Sequence, residues 1–338
     1  MKNPFSPNVQ ELAAYISIPT PSAWEQHCAD AFRCYDENWL DVLDWSEILA
    51  YYEFPELYYP DRLARELALL KQDRKLNFIC FLMRHILTRG TSEDILGAWG
   101  WGAGCTPFAQ HGSPVICAVA LLSAQAFHKE TIARLNYDEE QILIHKKGIR
   151  NCWVREHEVF GIDGTSFALL AWGSYYLRGN LVTIGRLQFE YGVKAAAPEH
   201  FPVKDANYVW LHVPAGKGDL TKEAIIQSIC LAEESLHRYF PSLPDKPNIY
   251  CINSWLLSPQ LPQLLPPDSN ILKFQRLFTV TDYYEGASSF LINIFHIKNR
   301  SVDYALLPED TRLQRGVKAY LLQNKPLENG VGYFAATE

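Results

Sequence analysis

Apolar side chains recur at i, i+3 and i+4 through NVQELAAYI (8–16), AWEQHCADAFRCY (23–35), DRLARELALL (61–70) and RKLNFICFLMRHIL (74–87). That spacing gathers them on one stripe of a 3.6-residue turn, so each segment is predicted as an amphipathic helix. Between them, ENWLDVLDWSEILAYYEFPELYYPD (37–61) alternates carboxylates with aromatic rings. It reads as a helix and loop packed on the core, although the same alternation also suits a sugar or cation site. GAWGWGAGCTPF (97–108), with four glycines and two tryptophans, breaks the helical pattern and predicts a tight connection. Three further helix-like runs follow, at 114–135, 138–161 and 165–179.

The period then changes. LVTIGRLQFEYGV (181–193) and NYVWLHVP (207–214) are rich in β-branched and aromatic residues and predict neighbouring, antiparallel strands joined by the proline-bearing AAAPEHFPVKDA. A loop containing GKG leads into TKEAIIQSICLAEESLHRYF (221–240), where Ile225, Ile229, Ala232, Leu236 and Phe240 share one helical face. NIYCINSWLL (248–257) reads as a strand, and SNILKFQRLF (269–278) as a short helix capped by Asp268 or Ser269. Strands are predicted at FTVTDYYE (278–285) and SFLINIFHIK (289–298), then a closing helix over 308–323 ahead of GVGYFAA. The fold class expected is α+β: a helical N-terminal domain over 1–130, with a soft boundary near 110–135, followed over 131–338 by a mixed, mostly antiparallel sheet flanked by helices.

Composition narrows the function classes. A chain of 338 residues that is 48% hydrophobic can bury a large core. Its net charge of −7 comes with lysines and arginines scattered among the acids, so no basic stripe answers nucleic-acid phosphate. The longest apolar stretch, PVICAVALLSAQAF at 114–127, is shorter than the roughly 20 residues that span a bilayer, and the first residues lack the apolar core of a signal peptide. The expectation is a cytoplasmic protein with no nucleic-acid or membrane partner. The eight cysteines lie mostly in apolar segments and form neither a CxxC pair nor a Cys/His metal pattern, which predicts reduced, buried thiols and no metal.

The strongest chemical signal is the strand–GKG–helix passage, VWLHVPAGKGDLTKEAII (209–226). A helix start leaves several amide N–H groups without partners and carries partial positive charge, so a glycine turn feeding it is a natural seat for phosphate. A Walker A loop fails because Lys217 is followed by Gly218 rather than Ser or Thr. A dinucleotide fingerprint is weak, since GKGDLT ends on Thr221 and the flanking elements are not doubly wound. The pyrophosphate loop of coenzyme A acyltransferases, in which a strand ends in xxxGxG, fits better. The plain alternative is an ordinary turn with Thr221 as N-cap.

LVTIGRLQFE (181–190), LHVPAGKGDLTKEA (211–224), INSWLLSPQLPQLLPPDSNILKFQRLF (252–278) and LPEDTRLQRGVKAYL (307–321) carry a resemblance. The second half resembles the GNAT (GCN-related N-acetyltransferase) superfamily, and is similar to bacterial acyltransferase-like proteins that join a helical N-terminal domain to a GNAT-like C-terminal domain. The resemblance implies acetyl-CoA or another acyl-CoA as co-substrate, with its diphosphate facing Gly216, Lys217, Gly218, Asp219 and Leu220 after Val213. It also implies that the strands at 207–213 and 248–257 splay apart to take the thioester and pantetheine, and that Asn253 and Asn270 position the cofactor. The chain departs from the superfamily pattern in four places. A clear first core strand is not found, the closing helix is extra, Val213 stands where Gln or Arg is usual, and Phe274 occupies the matching helix where a tyrosine often supplies the acid. Asp219 is awkward beside a diphosphate unless it turns back to cap its helix.

Acyl transfer to an amine needs a base. Glu190 ends its strand, and alternation places it with Gln188 and Arg186 on a polar side; a cleft would raise its pKa and Arg186 would lower it. His212 shares a face with Tyr208 and Trp210, as a catalytic group or as a satisfied structural histidine. Cys251 and Ser254 fall on opposite strand faces and no GxSxG elbow is present, which disfavours a covalent hydrolase. Two functions are expected from this sequence. The first is an acyl-CoA-dependent N-acyltransferase acting on an amine of a small molecule or peptide; the second is a GNAT-like binding or regulatory protein without turnover.

Overall fold

Asp73 ends one helix pattern and starts another: its carboxylate accepts the N–H groups of Lys75 and Leu76, which fixes where the largely buried helix over 74–89 begins. The computed structural model describes the chain apart from residues 1–6, 17–19, 21, 56–58, 100–114, 162–166, 193–207, 216–217, 219, 244–246, 248, 299–301 and 336–338. It divides into two compact units, 1–180 and 181–338.

The N-terminal unit is helical among its described residues. Its helices are α1 (Val9–Tyr15), α2 (Ser22–Cys34), α3 (Trp45–Tyr51), α4 (Tyr59–Gln72), α5 (Arg74–Arg89), α6 (Ser92–Trp99), α7 (Val115–Leu122), α8 (Gln125–Leu135), α9 (Glu139–Phe160) and α10 (Phe167–Arg178). Helix α5 buries Phe78, Ile79, Leu82, Met83, Ile86 and Leu87 against α2, α4 and α7. Helix α10 packs on α6, α7, α8 and α9. The expected boundary at 130/131 falls inside α8, and the apolar helices beyond 114 pack within the helical unit, which runs to Asn180. The connection expected over 97–108 lies largely outside the described residues.

The C-terminal unit contains β1 (Leu181–Ile184), β2 (Leu187–Glu190), β3 (Tyr208–His212), α11 (Lys222–Tyr239), β4 (Ile249–Ser254), α12 (Leu261–Leu264), α13 (Asn270–Gln275), β5 (Thr279–Glu285), α14 (Ala287–Phe295), α15 (Arg312–Leu322) and β6 (Glu328–Ala335). The strands form one sheet in the order β1-β2-β3-β4-β6-β5, with β3 and β4 parallel and the other neighbours antiparallel. This is the mixed, mostly antiparallel sheet expected.

One sheet face carries Val182, Phe189, Leu211, Val209, Tyr250 and Ile252, all buried; α11, whose Ile225, Ile229, Ala232 and Leu236 are buried too, packs on β1 and β2. A second core joins α12, α13, α14 and α15 through Leu261, Leu264, Leu272, Phe290, Leu291, Val317 and Leu321.

Three segments differ from expectation. Within the run 181–193, residues 181–190 form a hairpin, because Ile184 and Leu187 pair across a two-residue turn whose Gly185 has φ +59°. SFLINIFHIK forms helix α14 rather than a strand, since Phe290, Leu291 and Phe295 also satisfy the helical period and bury together. The strand over 248–257 stops at Ser254, whose hydroxyl accepts the Leu256 N–H and starts a 3₁₀ turn at Trp255–Leu257. No helix among the described residues is long and apolar enough to cross a membrane.

Candidate active site

The β1–β2 turn fixes the approach to α11. A Cβ on Gly185 would lie 2.5 Å from the Ser228 hydroxyl oxygen, so only glycine allows this turn to sit against the helix. The Arg186 N–H donates to the Ser228 hydroxyl at 2.7 Å, and that hydroxyl donates to the Ala224 carbonyl at 2.7 Å. The Arg186 guanidinium reaches the other way and donates to the Pro214 carbonyl at 2.9 Å. One turn therefore holds both the exit of β3 and the second turn of α11, and with them both ends of the glycine loop. Arg186 sits in that turn rather than on the strand face beside Glu190.

Thr221 is the N-cap of α11, its hydroxyl accepting the Ala224 N–H at 3.2 Å. Gly218 is exposed with φ +67° and nothing near a would-be Cβ, so its glycine serves backbone conformation. Val213 and Leu220 are half-buried at the two ends of the loop. Gly216, Lys217 and Asp219 lie outside the described residues.

The parallel ladder between β3 and β4 pairs Tyr208 with Ile249, Val209 with Tyr250 and Trp210 with Cys251, and ends there. Both strands continue. β3 stays paired to β2 as far as His212, opposite Gln188, and β4 stays paired to β6 as far as Ser254, opposite Gly330. The two strands thus separate along their facing edges while each is held on its outer side. Buried backbone N–H and C=O groups are almost always paired, so an opening of this kind offers a row of hydrogen-bonding groups to an extended ligand.

His212 and Glu190 meet beside this opening. Their Nε2 and Oε2 atoms are 2.7 Å apart, with the Glu190 side chain 7% exposed and that of His212 28% exposed. Register explains the contact: Gln188 lies opposite His212, and Glu190 is the next residue on the same face, one diagonal step away. A carboxylate can only accept, so it holds the imidazole as the Nε2–H tautomer and puts the basic lone pair of the neutral ring on Nδ1. Tyr208, Trp210, Cys251 and Asn253 share this face, opposite the α11 side.

Asn253 is exposed, on the part of β4 that has left β3, and its side-chain carbonyl accepts the Tyr284 hydroxyl at 2.5 Å. Asn270 is exposed at the first turn of α13, which Ser269 caps. Phe274 is fully buried against Phe278. Burial pushes the Cys251 thiol up to about 12, and Ser254 is occupied as a cap, so neither is an activated nucleophile.

Residues 181–334 match the family model for the GNAT-like C-terminal domain. The C-terminal unit is a GNAT-like domain. Among the described residues no strand precedes Leu181.

Solved acyltransferase structures share the fold over 98% of this chain and 100% of theirs. One, in complex with decanoyl-CoA and teicoplanin, superposes with a TM-score of 0.72 at 20% identity. A second, with decanoyl-CoA, gives 0.69 at 18%, and a third, with CoA and 10C-teicoplanin, 0.69 at 19%. No curated protein matches the chain.

Sequence reasoning named both members of the Glu190–His212 pair without joining them. It missed two contacts of the GNAT-like domain, Arg186 with Pro214 and Tyr284 with Asn253, which depend on strand order. The glycine at 185 inside a strand pattern was the available signal for the first.

Proposed function

We propose that the protein transfers an acyl group from acyl-CoA to an amine of a small molecule or peptide. The opening between β3 and β4 at the head of the glycine loop, with the Glu190–His212 pair on its rim, carries this reading. The CoA diphosphate takes the loop around Gly216, Lys217, Gly218, Asp219 and Leu220 and the start of α11, and the pantetheine arm runs along the unpaired edges after Val213, near Asn253, with Asn270 beyond. His212, oriented by Glu190, accepts the ammonium proton of the acceptor. The amine nitrogen then attacks the thioester carbon, the C–N bond forms, the C–S bond breaks, and the proton that the nitrogen sheds as the amide forms ends on the departing CoA thiolate, giving the thiol, while the proton held by His212 passes to solvent. Acetyl-CoA is the simplest donor. The similar acyltransferase structures hold decanoyl-CoA and octanoyl-CoA, and two hold teicoplanin or 10C-teicoplanin, so longer donors and amine-bearing peptide-like acceptors belong in the same class. A cytoplasmic setting suits the reaction, where acyl-CoA is available and the cysteines stay reduced.

The test is thiol release from a donor series running from acetyl- to decanoyl-CoA against a panel of amines. His212→Ala is expected to lower kcat by about 10²- to 10⁴-fold, the usual range for a general base. Glu190→Gln, which keeps the shape and removes the charge, is expected to lower it by about 10-fold or more. Buried Phe274 and the Val213 departure favour the second reading, a domain that binds acyl-CoA without turnover. Tight CoA binding with no thiol release from any pair would establish that reading over the enzymatic one.

A further inference from the structure

Tyr284 lies on β5, at the edge of the sheet, yet its hydroxyl reaches the strand that borders the opening. Three observations define its position. Asn253 is bound through its backbone to β6 alone, opposite Val331, because β4 has already parted from β3. Asp282 also pairs with Val331, so Asp282 and, two residues on, Tyr284 project from the same sheet face as Asn253 and His212. The Tyr284 hydroxyl donates to the Asn253 side-chain oxygen at 2.5 Å.

An asparagine amide can turn over about its last bond and present either its oxygen or its NH₂ group. Here the Tyr284 phenol donates to the amide oxygen, which leaves the NH₂ group as the outward donor. Both side chains are substantially exposed, so this bond contributes little to holding the sheet together. What it does hold is the Asn253 amide at the rim.

We infer that Tyr284 is a positioning residue for acyl transfer: it locks Asn253 so that the amide NH₂ donates into the opening, toward a carbonyl of the acyl donor. This rests on the proposed acyl-CoA reading, and it assigns Tyr284 no contact with the reacting atoms. A carbonyl acceptor is the chemistry that such a donor recognises, and an acyl-CoA offers several along its pantetheine arm and at the thioester.

The experiment is a double-mutant cycle on the full chain with Tyr284→Phe, Asn253→Ala and the pair, measuring kcat and KM for acyl-CoA by thiol release. Losing one orienting hydrogen bond is expected to lower kcat/KM about 3- to 10-fold in Tyr284→Phe, with circular dichroism unchanged. Asn253→Ala is expected to cost about 10-fold or more. In the Asn253→Ala background, Tyr284→Phe should then change kcat/KM less than about 2-fold, since the phenol has nothing left to orient. A full Tyr284→Phe effect in that background would show an independent structural role and overturn the inference, as would an unchanged Tyr284→Phe single variant. Wild-type protein that releases no thiol from any donor and acceptor overturns the acyl-transfer reading and the inference with it. An active wild type with a silent Tyr284→Phe overturns the inference alone.

Discussion

The helical unit holds a buried ionisable group whose removal should be visible in solution. His128 is fully buried in α8, its ring stacked 5.9 Å from Tyr52 and 6.1 Å from His145, with its Nδ1 3.2 Å from the Tyr51 hydroxyl. Burial, then His145, then Lys146 push its pKa down to about 3. The folded state therefore keeps His128 neutral where an unfolded chain, with a histidine pKa of about 6.5, takes up a proton. Stability from this site is complete above that unfolded value and falls as the pH drops through it toward about 3. At pH 5, about 1.5 units below the unfolded value and well above the folded one, the loss is roughly 2 kcal/mol at ~1.4 kcal/mol per unit.

His128→Phe keeps the stacked ring and abolishes titration, at a cost of about 1 kcal/mol for the Tyr51 hydrogen bond at every pH. Urea unfolding at pH 7.5 and pH 5 gives a difference of differences in which titrating groups that do not interact with residue 128 cancel. Wild type should lose about 2 kcal/mol more than the variant over that interval. Equal losses in the two proteins would refute the reasoning, because they would mean that His128 is protonated in the folded chain.

Three further outcomes follow from single contacts. Gly185→Ala forces a side chain into positive φ and against the Ser228 hydroxyl 2.5 Å away, so urea unfolding should show a loss of about 1–3 kcal/mol. Thr221→Ala removes the N-cap of α11 and should cost about 1 kcal/mol in the same assay, while Thr221→Ser should retain most of it. Tyr250 is fully buried and its hydroxyl has no hydrogen-bond partner among the described residues, so Tyr250→Phe should be neutral or raise stability by up to about 2 kcal/mol; a loss above about 1 kcal/mol would reveal a partner for that hydroxyl.

Where a segment buries one face, its period could be read directly. The stripes of α2, α4, α5, α11 and α15 appear where the apolar spacing puts them, and Thr221 and Ser269 cap the helices they were expected to cap. Two kinds of information were missing from local pattern. A run such as SFLINIF satisfies strand propensity and helical spacing together, and only its burial with α15 and α12 selects the helix. The unit boundary depends on what α7 packs against, which no composition shift near 110–135 reveals: its apolar surface is consumed by α4, α5, α9 and α10.

The site shows the same division at finer scale. Alternation alone put Tyr208, Trp210 and His212 on one face and Glu190 on a polar face, yet the 2.7 Å contact also requires Gln188 opposite His212. A one-residue slip of β3 against β2 would turn His212 toward the side of Leu187 and Phe189 and leave Glu190 with no imidazole. Tyr284 is harder still. The pairing passes from Val280 opposite Gly332 to Asp282 opposite Val331, so Thr281 is an extra residue in β5 and the alternation reverses there. Read with strict period two from Thr279, TVTDYYE sends Tyr283 to the face of Asn253 and Tyr284 to the other side. The bulge exchanges them, and with them decides which hydroxyl reaches the rim of the opening.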